Sequence, residues 1–445
     1  MREHLKSIAL FLLVIASCAQ TGLLWYNSPS YEEPLRPDYI QPFKIGNEEF
    51  EKQNLFELTA PPEIVLHREG THQQVFPENA KHQDLMEKLH FTQFEEFKPI
   101  TPASNRWNEL MEQEDGIELR MNRETNIEVL STLFSTRPNA GNLETFSRIW
   151  FHGNGDNTAV SVWLISDQDQ KVVEGTAQIE DFNDWISLAD FENSPLVSPV
   201  YTDEKEQVND DFRGVPRVFY LPDHDQQMDK KTFTLNTIDI DDMRKALFPD
   251  PSLAKRTLVR DSVYIYSDRR RTLQYNGTNE TMVFSNPTNS TVQDSSSASE
   301  ELNSINRFIN RHGGWTSNYL LERVNEDSAN ETTLYDFRLF SGGYPVFWSK
   351  KDKEHLDTIR LAATNQGVAT YERSLRYLVT NSEQTQPGEL LSKQDLLKQL
   401  EKQKLPLSRI DWIYPGYRAE VQEEAVELKP VWVVIDNQGE MSFIP

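Results

Sequence analysis

The chain has 445 residues, of which 37% are hydrophobic and 11% aromatic, and its formal net charge at pH 7 is −25. This length allows about two to four domains with real hydrophobic cores. The acidic balance argues against nucleic acid as a partner, because a nucleic-acid-binding protein needs a basic face. It also argues against a body that lies on an anionic membrane surface.

A long apolar segment lies at the amino terminus. Residues 7–26 carry no charge, and Arg2 and Lys6 precede them. A run of about 20 such residues is long enough to cross a bilayer as a helix. Since basic flanks stay in the cytoplasm, we expect a single-pass helix in membrane lipid, with a cytoplasmic stub before it. The residues after Tyr26 are then extracytoplasmic.

A lipoprotein signal is the main alternative to this uncleaved helix. Residues 15–17 precede Cys18 as in a lipobox, and Cys18 is the only cysteine of the chain. Lipidation of Cys18 would make the protein an extracytoplasmic ligand-binding lipoprotein. The apolar run continues past Cys18, which favours the uncleaved helix. A cleaved secretory signal lacks its small-residue site here, and a buried soluble helix is a further alternative.

Small residues give the predicted membrane helix a possible face for another helix. Ala9, Ala16, Ala19 and Gly22 permit close approach of a second backbone, and Gln20 can add an interhelical hydrogen bond. Small residues are also common in membrane spans without any such role. The partner-binding face is therefore a hypothesis about these five positions.

The first part of the chain after the helix predicts a stalk and a folded region. Residues 27–58 are interrupted by prolines, which is typical of a stalk. Residues 59–194 predict an N-terminal α+β region. Its expected elements are a strand at 63–67, helices at 80–97 and 104–113, strands at 116–121, 148–152, 159–166 and 171–178, and a helix-like segment at 179–191.

Two further α+β regions follow, a central one at 195–290 and a C-terminal one at 291–445. The central region begins with a connector at 195–215, and its expected elements are strands at 217–221, 232–237, 262–267, 272–275 and 281–285 and a helix at 241–247 capped by Asp239. The C-terminal elements are a helix from 299 to the double glycine 313–314, strands at 318–324, 334–341, 344–348, 358–363 and 368–371, a helix capped by Ser392, and strands at 410–414, 418–421 and 431–435. Helices that alternate with antiparallel meanders predict an α+β fold class of helix-plus-antiparallel-sheet units.

The sequence carries no established catalytic signature, such as a G-x-S-x-G, H-E-x-x-H or Walker A motif. His67 and His72, near Glu69, are interpreted as a strand–turn surface rather than a metal site. The triplet Asp223–Asp225 is interpreted as a loop. We therefore predict a protein that is not an enzyme and that has no catalytic residue, cofactor or metal.

Short motifs along the chain resemble, in their order and spacing, those of the YycH family. They lie at 62–67, 247–250, 283–287, 308–315, 343–347, 371–375, 413–417 and 428–432, after a span that ends in Trp25-Tyr26. Each motif is weak alone, and together they cover nearly the whole chain. The resemblance implies a three-domain extracytoplasmic protein on one membrane helix, with a C-terminal region similar to YycI.

The resemblance also implies a function in cell-wall homeostasis of Gram-positive bacteria. Members of the family are accessory regulators of the WalK/WalR two-component system. They act on the sensor histidine kinase together with a YycI-like protein, largely through membrane helices. The family has no catalytic residues to carry over. This sequence departs from the family in Cys18, because cleavage there would remove the helix that this mechanism needs.

Overall fold

The computed structural model describes Leu13, Ser17 and residues 45–153, 159–186, 195–202, 215–289, 297–327, 332–348, 356–364, 366–422 and 424–445. The chain divides into two units, Met1–Pro42 and Phe43–Pro445. All described residues except Leu13 and Ser17 belong to the second unit. Within the described residues, no helix is both long and apolar enough to cross a membrane.

Short helices are distributed along the second unit. They are α1 (Leu55–Thr59), α2 (Ala80–His90), α3 (Ser104–Gln113), α4 (Leu130–Leu133), α5 (Phe182–Trp185), α6 (Ile240–Leu247), α7 (Ala298–Arg311) and α8 (Lys393–Lys402). The longest of them, α7, begins with a capping box in which the Ser297 hydroxyl accepts from the Glu300 N–H and the Glu300 carboxylate accepts from the Ser297 N–H. Helix α6 begins where the Asp239 carboxylate accepts a hydrogen bond from the Asp241 N–H, as predicted.

The first ten described strands form one sheet. They are β1 (Glu63–Arg68), β2 (Thr71–Val75), β3 (Gln93–Phe94), β4 (Lys98–Ile100), β5 (Gly116–Asn126), β6 (Thr145–Gly153), β7 (Ala159–Ser166), β8 (Lys171–Gln178), β9 (Leu196–Tyr201) and β10 (Val218–Pro222). Their order is β10-β9-β2-β1-β5-β6-β7-β8-β3, and β4 also pairs with β8. The sheet therefore ends at Pro222, well beyond the start of the predicted connector.

Side chains on the two faces of this sheet enter two different cores. Successive residues of a strand point to opposite faces, so Ile64 and Leu66 of β1 pack with α2 on one face. Val65 packs on the other face with Trp107 of α3 and with Trp150 of β6. The face under α3 also receives Glu63, His67 and other polar side chains, described below.

The remaining strands are β11 (Gln226–Gln227), β12 (Lys230–Thr237), β13 (Lys255–Arg260), β14 (Val263–Ser267), β15 (Thr272–Asn276), β16 (Thr281–Ser285), β17 (Tyr319–Asp327), β18 (Thr332–Ser341), β19 (Tyr344–Trp348), β20 (Thr358–Thr364), β21 (Gly367–Ser374), β22 (Arg376–Leu378), β23 (Gln384–Gln386), β24 (Glu389–Leu390), β25 (Ile410–Gln422), β26 (Ala425–Asp436) and β27 (Met441–Ile444). Among them, β11 and β24 form a small separate sheet.

The other fifteen strands form a second sheet. Its order is β13-β14-β15-β16-β21-β20-β18-β19-β25-β26-β12-β22, with β17, β23 and β27 paired beside β18, β12 and β26. The described pairings are antiparallel except that of β19 with β25. Helix α7 lies against β20 and β21, and its Leu302, Ile305 and Ile309 enter the large core of this sheet. The mixed α+β fold class is thus confirmed.

Three predicted elements differ from the observed ones in the first region. The helix predicted over 80–97 ends at His90, because Gln93 and Phe94 pair with β8 as a short strand. The helix-like segment at 179–191 forms a helix only over Phe182–Trp185, and residues 187–191 lie outside the described part. The connector at 195–215 contains strand β9, which pairs with β2 and β10.

Two predictions near the C-terminus also differ. The strands predicted at 410–414 and 418–421 are one strand, β25, because Pro415 and Gly416 stay in register opposite Trp432 and Val431. Ser392 precedes α8 without a side-chain hydrogen bond to the helix backbone, and its hydroxyl lies 3.4 Å from Asp395 Oδ2. The region boundaries at 59, 195 and 291 stay predictions.

Candidate functional site

The residues proposed to contact a partner lie outside the described part of the structure. Ala9, Ala16, Ala19, Gln20 and Gly22 all belong to this group. Their role as a membrane-helix face therefore stays a prediction. The same holds for the lipidation of Cys18.

His67 and His72 are buried rather than part of a strand–turn surface. They face each other across the β1–β2 hairpin, and their Nδ1 atoms are 2.9 Å apart. His67 is fully buried and His72 is 5% exposed. The neighbouring Glu69 lies in the turn, where its N–H donates to Asp115 Oδ1. The described residues contain no group of three or more His, Cys, Asp or Glu side chains arranged to hold a metal ion.

Strand register brings a set of charged side chains to the same face as His67. Glu63 of β1 lies opposite Arg120 of β5, which lies opposite Arg148 of β6. Two residues further along each strand, Val65, Glu118 and Trp150 form a second row on the same face. We call Glu63, His67, His72, Glu118, Arg120, Arg148 and Tyr220 the buried charge cluster.

Glu118 is the centre of the buried charge cluster. Its carboxylate accepts hydrogen bonds from the Tyr220 hydroxyl at 2.6 Å and from Arg120 Nη1 at 2.8 Å, and it lies 3.4 Å from His67 Nε2. Burial raises the pKa of Glu118, but the guanidinium of Arg120 and the other donors outweigh this effect, so its pKa is well below the usual range. Glu118 is therefore ionised.

Arg120 joins this centre to two further groups. Its Nε donates to Glu63 Oε2 at 3.2 Å, and its Nη2 donates to the Val218 carbonyl of β10 at 2.9 Å. Its guanidinium also lies over the ring of Tyr220. Since all these groups are buried, removal of Arg120 would leave two carboxyl groups without their main cation.

The contacts of the two histidines define their proton positions. Burial lowers the pKa of His67, and burial followed by the neighbouring His67 lowers the pKa of His72 to about 4, so both rings are neutral near pH 7. When both rings are neutral, only one placement of their protons satisfies both contacts of His67. His72 donates its Nδ1–H to His67 Nδ1, and His67 keeps its proton on Nε2, which faces the Glu118 carboxylate.

The buried charge cluster contains groups that serve as acids and bases in enzymes, but its central groups Glu118 and His67 are fully buried. His67 stacks on Trp150 with ring centres 4.4 Å apart, and Trp107 of α3 packs edge-on against Trp150. Both indoles are 1% exposed or less. A substrate would have no path to Glu118 under this cover. The cluster therefore acts as a structural tie between β1, β5, β6 and β10.

A solvent-accessible groove lies elsewhere, along residues 49–60. It consists of two adjoining clefts of about 470 and 410 Å³, which share Glu49, Phe50, Glu78 and Asn318 as lining residues. The amide of Asn318 donates to Glu78 Oε1 at 3.0 Å across this junction. Lys231 and Glu383 form an ion pair of 2.9 Å on the lining of the larger cleft. The carboxylates of this groove accept hydrogen bonds and its amides both donate and accept, so the lining suits a polar ligand.

The segment that lines the groove is anchored to the second sheet by its backbone. The Ile45 N–H donates to the Gly313 carbonyl, and the Trp315 N–H donates to the Phe50 carbonyl. A Cβ atom at Gly313 would lie 2.1 Å from Ile45 Cδ1, and both Gly313 and Gly314 have positive φ. The double glycine therefore ends α7 and also leaves the space that Ile45 of this segment occupies. Residues 45–58, which the sequence placed in the stalk, pack against the folded body.

Asparagine side chains complete this anchor. The Asn47 amide donates to the carbonyls of Thr316 and Leu378 at 2.8 and 2.7 Å. The Asn306 and Asn310 amides of α7 both donate to the Gln53 carbonyl. Sequence reasoning missed this role, because an asparagine whose hydrogen-bond partner is more than 250 positions away carries no local signal.

His82, on the wall of the smaller cleft, allows the effect of burial on a histidine pKa to be tested. Burial lowers the pKa of His82 to about 4, although its contact with the Pro61 carbonyl opposes the shift. His82 binds a proton near pH 6.5 in the unfolded chain but only near pH 4 in the folded chain. The contribution of His82 to stability is therefore lost as the pH falls from 6.5 toward 4. We expect His82→Gln to remove about 3 kcal/mol of pH dependence from the free energy of unfolding over this range.

Urea unfolding of wild type and His82→Gln at several pH values measures this difference. In the wild type, Glu124 changes stability with pH in the opposite direction to His82. Burial raises the pKa of Glu124 to about 7, so the contribution of Glu124 to stability is lost as the pH rises from 4.5 through 7. Comparison of the two proteins cancels the Glu124 effect. His224→Gln, at an exposed position, is the control. A difference between wild type and His82→Gln that does not change with pH would contradict the burial of a neutral His82.

Comparison with known proteins finds two family models and a relative that match this chain. The family model described as "YycH protein, N-terminal domain" matches residues 3–190, and that described as "YycH protein, C-terminal domain" matches residues 216–444. A protein of Bacillus subtilis (strain 168), named two-component system WalR/WalK regulatory protein YycH, is 23% identical over 449 residues, which cover 98% of this chain and 95% of that protein.

A solved structure shares the fold. The crystal structure of YycH from Bacillus subtilis matches with a TM-score of 0.69 and 23% sequence identity. The match covers 90% of this chain and 99% of that chain.

Proposed function

The chain belongs to the YycH family, and from this premise we propose that it is a membrane-anchored extracytoplasmic regulator of a WalK-type sensor histidine kinase. Family membership carries the proposal, because the C-terminal family model alone matches more than half of the chain. The Bacillus subtilis relative is named as a regulator of the WalR/WalK system. A regulator of this kind acts by binding its kinase rather than by chemistry of its own.

The membrane anchor of this proposal rests on the apolar segment. Residues 7–26 lie within the region that the N-terminal family model matches, so the segment belongs to the family's pattern and is not an unrelated extension. Basic residues before the segment favour a cytoplasmic amino terminus. The protein would then be a single-pass membrane protein with its folded body outside.

We propose that the regulatory contact is made between membrane helices, with a YycI-like protein as a second partner. Ala9, Ala16, Ala19 and Gly22 permit the close helix approach that this contact needs, and Gln20 can hydrogen-bond across it. The anchored segment at 45–58 supports this mechanism. Its backbone is hydrogen-bonded to Gly313 and Trp315, so residues 45–58 are fixed to the body and do not form a free linker.

The burial of the charge cluster supports the proposal that the protein acts by binding. Glu118, His67 and Tyr220 are 2% exposed or less, and two tryptophans cover them. The groove along residues 49–60 is an accessible concave surface among the described residues, and its lining suits binding.

Co-purification from membranes tests the proposed function. We expect the full chain to bring down a sensor histidine kinase and a YycI-like protein, because the helix is the proposed contact. A matched chain in which a cleavable signal replaces residues 1–26 should be exported and should lose both partners. Retention of the kinase by this shorter chain would place the contact in the body. A lipid-modified Cys18 at the amino terminus would instead favour the ligand-binding lipoprotein.

A further inference from the structure

Strand β13 is an open edge of the second sheet. It is the first strand in the order, and among the described residues it pairs only with β14. All six of its residues, Lys255–Arg260, are exposed. Regular pairing with β14 runs from Lys255 to Leu258, and a bulge follows before Arg260. The outer backbone groups of this strand are therefore open to another strand.

Large apolar side chains are exposed on this strand and in the turn just before it. Leu253 is 62% exposed, Leu258 is 61% exposed and Val259 is 55% exposed. Charged side chains and a bulge are enough to protect an edge strand from unwanted pairing. Exposed leucine and valine do not serve that protection, and they provide apolar area that a partner strand would cover.

The edge is also basic, although the chain as a whole has a net charge of −25. Lys255, Arg256 and Arg260 lie on the strand itself. Arg269 and Arg270 lie in the turn after Ser267, which is opposite Lys255, so they extend the basic surface at that end. Among the described residues, none of these five side chains forms an ion pair. The acids near them in sequence are Asp250, Asp261 and Asp268, of which Asp268 contacts Arg271. Asp239 and Asp241 also lie near Tyr266, the residue opposite Arg256.

Arg256 is held in place beside the open edge. Its guanidinium carbon lies 3.8 Å from the ring centre of Tyr264, and Tyr264 stacks with Tyr275 of β15. Leu258 lies opposite Tyr264 on β14. The side chains that would meet a partner are thus positioned by strands β14 and β15, so little ordering is needed on binding.

We propose that β13 binds an extended acidic segment of another protein by strand addition. Main-chain hydrogen bonds to the open edge would supply affinity, and acidic side chains opposite Arg256 and Arg260 would supply specificity. A second copy of the chain fits poorly, because antiparallel pairing of all six residues of β13 with those of the second copy places Lys255 opposite Arg260 at both ends. Like charges directly opposite destabilise a strand pair. This inference concerns a surface apart from the membrane helix and does not depend on the proposed function.

Peptide binding to the full chain tests the proposal. The probe is a short fluorescent peptide in which glutamate alternates with valine, and its binding is followed by anisotropy and by hydrogen exchange. We expect the peptide to bind, to protect the amides of residues 255–258, and to lose affinity about tenfold with Arg256→Glu/Arg260→Glu. The same variant should gain affinity for a lysine–valine peptide. Lys402→Glu/Lys404→Glu, at exposed positions elsewhere, is the control with an equal change of charge.

Other outcomes would overturn strand addition. Equal binding of a glutamate–valine peptide with a central proline would show a charge effect without strand pairing. No binding of the original peptide, or equal binding by Arg256→Glu/Arg260→Glu, would exclude this edge as its site. Self-association that this variant abolishes would assign the edge to a second copy. Binding to anionic vesicles in place of the peptide would assign it to a membrane surface.

Discussion

Arg120→Ala is expected to lower the free energy of unfolding by about 3–5 kcal/mol. Arg120 is the main cation for both Glu118 and Glu63, and all three side chains are nearly buried. Loss of one partner from a buried ion pair leaves an uncompensated charge, which costs far more than the pair contributes in the native state. The substitution also removes the hydrogen bond to the Val218 carbonyl, so β10 is expected to loosen first.

Urea unfolding followed by tryptophan fluorescence measures this effect, since Trp107 and Trp150 pack beside the buried charge cluster. Lys98→Ala is the matched control. Lys98 pairs with Glu96 at 3.8 Å where both side chains are more than 70% exposed, and exposed pairs contribute about 0–1 kcal/mol. A loss of stability for Arg120→Ala as small as that of the control would mean that water reaches Glu118, and the structural role of the cluster would have to be abandoned.

Replacement of residues 7–26 by an unrelated single-pass helix is expected to abolish kinase regulation while export of the body persists. Lipid provides no hydrophobic drive between helices, so their association depends on the side chains that pack at the contact. A foreign helix keeps the anchor and removes that contact. Expression of a reporter controlled by the response regulator, compared with a strain that lacks the protein, measures the loss.

Point variants locate the contact within the helix. Ala16→Leu or Gly22→Leu is expected to weaken binding of the kinase by up to about tenfold, because a larger side chain separates the two backbones. Cys18→Leu is the matched control for Ala16→Leu alone, since in a helix with 100° per residue position 18 lies opposite positions 9 and 16 but only about 40° from position 22. If the chimera regulated the kinase normally, the membrane helix would serve only as a tether. Loss of membrane attachment with Cys18→Leu would point to lipidation.

The sequence by itself determined the elements whose signals are local. Helix Ser104–Gln113 and strands Ala159–Ser166 and Lys171–Gln178 have the predicted bounds, because the periodicity of their own side chains defines them. The cap at Asp239 and the end of α7 before Gly313 are local for the same reason. Motif order along the chain indicated the family, which the two family models confirm.

Only the tertiary structure decided which distant residues meet. Arg120 lies opposite Glu63 through strand register, and nothing within either strand's sequence specifies that pairing. The interpretation of His67 and His72 as a surface was wrong, because α3 and two tryptophans cover the face on which their side chains lie. Strand β9 went unpredicted since it is stabilised by pairing with β2, which is distant in sequence, as well as with β10. Burial and register are properties of pairs of segments, so a pattern within one segment cannot determine them.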